Sequence, residues 1–177
     1  MSVDCEVRAD GVFVTAATID LTEDCNLRCS YCFTSGKTKK KLSKETAEKI
    51  LRWLVKDEIS GNSKEISITF WGGEPLCEFP MIQYIVDKSR EISEELEGRK
   101  KFTFGMTTNG TLLTKEVCEY IKKENIGYLV SADGTKETHD LYRKTVGGEG
   151  SFDMVLRGIR NLRETGNEPN IRLSITP

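Results

Sequence analysis

The sequence predicts an α/β fold with a parallel sheet and a polar lumen, as in a wide or partly open barrel. Five apolar runs with period-two alternation centre on residues 16–21, 66–71, 102–108, 127–133 and 170–176, and each but the last precedes a helical pattern. Such alternation implies parallel strands joined by right-handed crossovers. An open doubly wound sheet also fits this order, but its strands are covered on both faces and should be almost continuously apolar.

The predicted strands instead have two different faces. One face is apolar and is expected to pack beneath the helices: Ile66, Ile68, Phe70, Phe102, Phe104, Met106, Tyr128, Val130, Ile171, Leu173 and Ile175. The other face is small or polar: Ser67, Thr69, Thr103, Gly105, Thr107, Ser131, Asp133, Arg172, Ser174 and Thr176. A polar inner face suits a barrel lumen that receives a ligand.

Four helices are predicted between the strands. The first follows Ser43, a residue type that caps helix N-termini, and carries apolar residues at helical spacing. The second has Pro80 near its start, where a missing N–H costs little. Thr114 is expected to cap the third helix. Ser151 is expected to cap the fourth, which ends at Gly166.

The composition of the chain excludes some classes of partner and predicts its location in the cell. A length of 177 residues with 37% apolar and 31% charged side chains is enough for one globular domain with its own core. The 26 basic and 28 acidic residues nearly cancel, so no broad field attracts nucleic acid or a membrane surface. No apolar run has the length of a signal peptide or a membrane span, which predicts a cytoplasmic protein.

Three of the six cysteines, Cys25, Cys29 and Cys32, lie within eight residues directly after the first strand. In a reducing compartment this clustering indicates metal binding. A structural zinc requires a fourth protein ligand nearby, yet the other cysteines and His139 are scattered along the sequence. Three thiolates on an iron–sulfur cluster leave one iron open for chemistry. The alternative from a different functional class is a non-catalytic module in which the three cysteines bind a structural zinc.

The pattern Cys-x3-Cys-x2-Cys, with the aromatic Tyr31 before the last cysteine, resembles the signature of the radical S-adenosylmethionine superfamily. The turn Gly72-Gly73-Glu74 at the end of the second strand is similar to the motif with which that family holds the amino group of the cofactor's methionine. Glycines let backbone carbonyls approach a ligand closely, and a carboxylate can bind an ammonium. Tyr31 and Phe33 are also expected near the adenine of the cofactor.

Polar motifs also end the third and fourth strands, where parallel α/β folds build their sites. Plain turns with glycine at positive φ are the simpler interpretation of each. In related enzymes, side chains at these strand ends contact the ribose and the methionine carboxylate, so Asn109, Ser131 and Asp133 are expected to bind the cofactor. Arg143 is expected to pair with a carboxylate of cofactor or substrate, or to lie exposed on the surface.

The resemblance implies that Cys25, Cys29 and Cys32 hold a [4Fe–4S] cluster whose remaining iron binds S-adenosylmethionine. Reductive cleavage then yields a 5′-deoxyadenosyl radical that removes a hydrogen from the substrate. A low-potential donor such as flavodoxin or ferredoxin is expected to supply the electron. No catalytic base is identified. His139 is expected to be a capping or surface residue on a polar loop, and residues 37–41 to form a solvated loop.

The segments 131–143 and 150–153 resemble the SPASM-type subgroup, which modifies peptides and proteins and includes sulfatase-maturating enzymes and thioether-forming peptide maturases. A thioether or related crosslink in a ribosomal peptide is therefore expected, with oxidation of a sulfatase residue to formylglycine as the alternative. The resemblance covers residues 15–177, after an N-terminal extension at 1–14. Family members close six βα units, so a partial (β/α) barrel of the radical SAM type is expected, truncated after about five strands and without the C-terminal auxiliary-cluster region.

Overall fold

The computed structural model describes residues 13–34 and 36–175. The predicted N-terminal extension up to residue 12 and the predicted polar-face residue Thr176 therefore lie outside the described residues. Five parallel strands form one open sheet in the order β1-β2-β3-β4-β5. They are β1 (Ala16–Thr22), β2 (Glu65–Gly72), β3 (Lys101–Thr108), β4 (Gly127–Ser131) and β5 (Ile171–Arg172).

The strand order distinguishes the two candidate folds. A doubly wound sheet reverses its strand order at a switch point, whereas the wall of a barrel keeps neighbouring strands in chain order. Each strand here pairs in parallel with the next one along the chain. The predicted parallel α/β fold is confirmed, and the five described strands have the order of a partial barrel wall.

The helices include the four predicted ones and two that the sequence did not predict. They are α1 (Lys44–Leu54), α2 (Asp57–Ser60), α3 (Phe79–Glu95), α4 (Lys115–Lys123), α5 (Lys136–Tyr142) and α6 (Phe152–Glu164), with a 3-10 turn at Pro75–Glu78. The side chain of Ser43 accepts the N–H of Thr46, and that of Thr114 accepts the N–H of Val117, so both predicted N-caps are confirmed.

The core lies between the sheet and its helices. Ile66, Ile68 and Phe70 of β2 are fully buried, as predicted from the alternation. The corresponding prediction for the last strand is wrong, because Ile171, Leu173 and Ile175 are exposed. In the described part of the chain no helix follows β5, so this face has no layer packed on it. None of the described helices has the length and apolarity needed to span a membrane.

Candidate functional site

A cavity of about 220 Å³ lies at the edge of the sheet where β2, β3 and β4 end. The loop after β1, Arg143 after α5, Arg172 of β5 and Ser174 also line it. Most of the site residues predicted from the sequence line it: Cys25, Cys29, Tyr31, Cys32, Gly72, Gly73, Glu74, Asn109, Ser131 and Arg143. Asp133 is not among the lining residues. Residues more than a hundred positions apart thus converge, because the carboxyl ends of parallel strands meet at one edge.

The loop that carries the three cysteines is held by backbone hydrogen bonds to the last residue of α5 and to the segment after it. The N–H of Arg28 donates to the carbonyl of Lys144 over 2.7 Å, and the N–H of Ser30 donates to that of Tyr142 over 2.9 Å. Leu27 is fully buried, and it forms an isolated antiparallel β-bridge with Thr145. Cys25 is buried, whereas Cys29 and Cys32 are partly exposed at the cavity.

Gly72, the last residue of β2, and Gly73 after it bring this turn against the start of the cysteine loop. The N–H of Gly73 donates to the carbonyl of Thr22 over 2.8 Å, and the N–H of Glu74 donates to that of Asp24 over 3.0 Å. A Cβ on Gly72 would overlap the carbonyl oxygen of Thr22, and one on Gly73 would overlap that of Asp24. Sequence reasoning assigned these glycines to close approach of a ligand. The structure adds a second requirement, which is close approach of two backbone segments.

Glu74 has only 1% of its surface exposed, and its carboxylate is held by three donors. Oε1 accepts the hydroxyl of Thr108 over 2.7 Å and the N–H of Leu76 over 3.1 Å, while Oε2 accepts the N–H of Asn109 over 2.7 Å. Burial raises the pKa of Glu74, and these hydrogen bonds oppose the rise. A carboxylate has about four lone-pair positions, so Glu74 can accept one further donor at the cavity.

Asn109 links the end of β3 to the cysteine loop. Its side-chain amide donates to Oδ1 of Asn26 over 2.9 Å and lies 3.7 Å from the sulfur of Cys25. Its Oδ1 accepts the N–H and the hydroxyl of Thr111. Sequence reasoning assigned Asn109 to the cofactor. In the structure its polar atoms bind protein groups that surround Cys25.

Asp133 and Arg143 form a buried ion pair, of which Arg143 lines the cavity, with 3% and 8% of their surfaces exposed. Nε of Arg143 donates to Oδ2 of Asp133 over 2.6 Å, and the same carboxylate accepts the hydroxyl of Tyr31 and the N–H of Ser174. Burial disfavours ionisation of Asp133, but these donors hold its pKa below the usual value. The guanidinium also lies over the ring of Tyr31, 5.3 Å from its centroid.

Three expectations for the surroundings of the site are corrected. Arg143 is not a surface residue, since its partner is the carboxylate of Asp133. His139 lies in helix α5 and is fully buried, whereas a capping or surface position on a loop was expected. Lys37 was expected in a solvated loop, but it lines the cavity and donates to the carbonyl of Leu27 over 3.2 Å.

The predicted cap of α6 is also corrected. The side chain of Ser151 makes no capping hydrogen bond, and its hydroxyl donates instead to the carbonyl of Arg143 over 2.7 Å. Asp140 supplies the cap, because its Oδ1 accepts the N–H of Phe152 over 2.8 Å. A Cβ on Gly150 would overlap the carboxylate of Asp140, so the glycine is required by this contact.

The donor set of the cavity determines what it can hold. Three thiols share one wall, and burial raises the pKa of Cys29, an effect that the nearby Arg143 opposes. Among residues 13–34 and 36–175, no group of three or more His, Cys, Asp and Glu side chains is arranged to hold a single metal ion. Thiolates are the ligands that iron–sulfur clusters take, and the adjoining cavity is bordered by carboxylate, guanidinium and aromatic groups.

The sequence matches the Radical SAM superfamily over residues 19–176. It is 29% identical over 170 residues to a radical SAM cyclopropyl synthase, TigE, of Paramaledivibacter caminithermalis, covering 89% of this chain and 34% of that protein. It is 35% identical over 158 residues to a serine-type anaerobic sulfatase-maturating enzyme of Bacteroides thetaiotaomicron, covering 82% of this chain and 36% of that protein. The chain therefore spans about a third of the length of these relatives.

Solved structures agree with this match. The protein anSMEcpe, solved with AdoMet and a peptide bound, superposes with a TM-score of 0.76 at 25% identity, over 88% of this chain and 42% of that one. Streptococcus suis SuiB, solved with its precursor peptide SuiA, superposes with a TM-score of 0.68 at 21% identity, over 93% of this chain and 34% of that one, a likeness of fold. The resemblance to peptide-modifying members found in the sequence is confirmed.

Proposed function

The chain belongs to the radical SAM superfamily, and from this premise we propose that it forms the catalytic part of an enzyme that removes hydrogen from a peptide or protein substrate. One observation carries the proposal. The three cysteines, the Gly72-Gly73-Glu74 turn and the ends of β3 and β4 border a single cavity. The division into an extension at residues 1–14 and a catalytic domain at 15–177 is part of the proposal, as is a cytoplasmic location.

The family implies an iron–sulfur cluster and S-adenosylmethionine, and the residues of the cavity fit both. Cys25, Cys29 and Cys32 would hold a [4Fe–4S] cluster, whose chemistry with S-adenosylmethionine is reductive formation of a hydrogen-abstracting radical. Glu74 has one acceptor position left at the cavity and would bind the cofactor's ammonium. The guanidinium of Arg143 lies near Cys29 and would attract the carboxylate of the cofactor's methionine.

The chain's own residues also control the surroundings of the cluster. The amide of Asn109 lies 3.7 Å from the sulfur of Cys25, and hydrogen bonds to sulfur are one means by which proteins set cluster potentials. Leu27 N–H donates to the same sulfur over 3.4 Å. Tyr31 lines the cavity with its ring held by Arg143, which supports a flat apolar surface for adenine. Ser131 lines the same wall and offers a hydroxyl to the cofactor. A low-potential donor such as flavodoxin or ferredoxin would deliver the electron.

The substrate is proposed to be a peptide, with a thioether or related crosslink as the product. SuiB was solved with a precursor peptide and anSMEcpe with a bound peptide, and this supports a peptide as the substrate. Formylglycine formation in a sulfatase is the second candidate, favoured by the 35% identity to a sulfatase-maturating enzyme. A product aldehyde that reacts with a hydrazide probe would indicate the second reaction, and a crosslink that resists reduction would indicate the first.

Anaerobic reconstitution tests the proposed chemistry. The reconstituted protein is expected to contain iron and sulfide, to show the broad iron–sulfur absorption, and to form 5′-deoxyadenosine from S-adenosylmethionine after dithionite reduction. Cys29→Ala is expected to abolish both the intact cluster and 5′-deoxyadenosine formation. Cys118→Ala is the matched control, since Cys118 is buried in α4 away from the cavity. Stoichiometric zinc with no iron, or an intact cluster in the Cys29 variant, would contradict the proposal.

A further inference from the structure

His139 is the one histidine of the sequence, and it is buried with both ring nitrogens hydrogen-bonded. Nδ1 accepts the backbone N–H of Asp133 over 3.2 Å, and Nε2 lies 3.0 Å from the hydroxyl of Ser151. Because Nδ1 is an acceptor, the proton of the neutral ring is on Nε2. The ring does not line the cysteine cavity, so it touches neither of the groups that the cavity is proposed to hold.

The hydroxyl of Ser151 extends this hydrogen bonding to Arg143. It accepts from Nε2 of His139 and donates to the backbone carbonyl of Arg143 over 2.7 Å. The N–H of Arg143 in turn donates to the carbonyl of His139 over 2.8 Å. The imidazole therefore fixes the main chain of Asp133 on one side and, through Ser151, the main chain of Arg143 on the other.

Asp133 and Arg143 are the two members of the buried ion pair that holds the ring of Tyr31. Tyr31 and Arg143 line the cavity, and Tyr31 lies between Cys29 and Cys32 in the sequence. A displacement of either main-chain segment would change where the guanidinium meets the cavity. A small displacement of a ligand-contacting group weakens binding of that ligand.

We propose that His139 is a positioning residue that, together with Ser151, holds the Asp133–Arg143 pair at the wall of the cysteine cavity and so sets the affinity for S-adenosylmethionine. This inference rests on the proposed function. Phe152 packs edge-on against the imidazole, with ring centroids 5.5 Å apart. Through these contacts His139 links the start of α6 to the segment that follows β4. Through Ser151 it also links to Arg143, which lines the cavity.

The test measures the dissociation constant of S-adenosylmethionine by equilibrium dialysis with the cluster-reconstituted chain. His139→Leu removes both hydrogen bonds and leaves the Asp133 N–H buried without a partner, so the dissociation constant should rise roughly tenfold. His139→Asn retains an acceptor near the position of Nδ1, and His139→Gln retains a donor near that of Nε2. Each should restore part of the affinity, with a rise of about 2- to 5-fold. Iron content per chain is measured in parallel.

Ser151→Ala provides a second variant that removes a single hydroxyl, for use if the leucine variant does not fold. Its dissociation constant should rise about threefold at unchanged iron content. Ser89→Ala is the control, since Ser89 is also buried, in α3, but does not line the cavity. Wild-type affinity in both the leucine and alanine variants, at full cluster occupancy, would overturn the inference. Absence of binding by the reconstituted wild-type chain would instead overturn the proposed function and the inference with it.

Discussion

The backbone N–H of Asn109 donates to Oε2 of Glu74 over 2.7 Å, which joins the end of β3 to the turn that follows β2. The side chain of the same asparagine reaches the sulfur of Cys25. One residue therefore connects the carboxylate proposed for the cofactor's ammonium with a cysteine proposed for the cluster. Substitutions at any two of these three positions should have non-additive effects on stability, because residues of one hydrogen-bond network couple energetically.

Glu74→Gln should lower the free energy of unfolding by about 1–3 kcal/mol. The amide nitrogen of glutamine must face either the N–H of Asn109 or the N–H of Leu76, and one of these buried donors then loses its acceptor. Urea denaturation measures the change. Glu45→Gln is the control, because Glu45 is exposed and its pair with Lys49 lies on the surface of α1, so the effect should be below about 0.5 kcal/mol. Equal stability of the two variants would contradict the prediction.

Gly73→Ala should lower the free energy of unfolding by about 1–3 kcal/mol, because the new methyl group would overlap the carbonyl of Asp24 and push the turn away from the cysteine loop. The same variant should retain less iron after reconstitution. Gly105→Ala is the matched control, since its nearest neighbour, the carbonyl of Gly127, lies 3.7 Å from the new Cβ in ordinary contact. Both measurements on Gly73→Ala matching those of the control would refute the packing argument.

Asp133→Asn should cost about 3–5 kcal/mol of stability, because Arg143 would be left buried without its counter-charge. The hydroxyl of Tyr31 would lose its charged acceptor as well. The free energy of unfolding in urea is the measurement. Asp153→Asn removes a carboxylate from an exposed pair with Lys136 and should change it by less than about 0.5 kcal/mol. A cost of similar size in both variants would show that burial of the Asp133 pair is not the cause.

His139 should make stability depend on pH between neutral and mildly acidic conditions. Burial lowers its pKa, Arg143 lowers it further, and Asp133 and Asp140 oppose the shift. The unfolded chain binds a proton near pH 6.5 whereas the folded chain does not, so this stabilisation is present above that pH and decreases as the pH falls towards the lowered folded value.

The slope is limited to about 1.4 kcal/mol per pH unit for one proton. Because His139 is the only histidine in the sequence, His139→Gln should remove the histidine contribution to the slope between pH 7.5 and 5.5, as measured by urea denaturation. An unchanged slope in that variant would show that His139 binds its proton equally in the folded and unfolded chains.

Local patterns in the sequence were enough to predict the alternation of strands and helices, the caps at Ser43 and Thr114, and the convergence of the cysteine and glycine motifs on one edge. Each of these depends on backbone propensity or on side-chain periodicity, which neighbouring residues encode. Helix α5 was not predicted because it lacks the usual apolar periodicity: its buried residue is the polar His139, and its Leu141 is exposed.

Only the tertiary structure decided which polar groups pair. The sequence indicated that Ser151 could cap α6 and that Arg143 could meet a carboxylate, but the fold brings Asp140 to the cap and Asp133 to the arginine. The strand order, which separates a barrel wall from a doubly wound sheet, was likewise decided by long-range pairing. Hydrogen-bond partners of buried polar groups depend on which distant segments meet in space, and residue type and spacing along the chain do not specify that meeting.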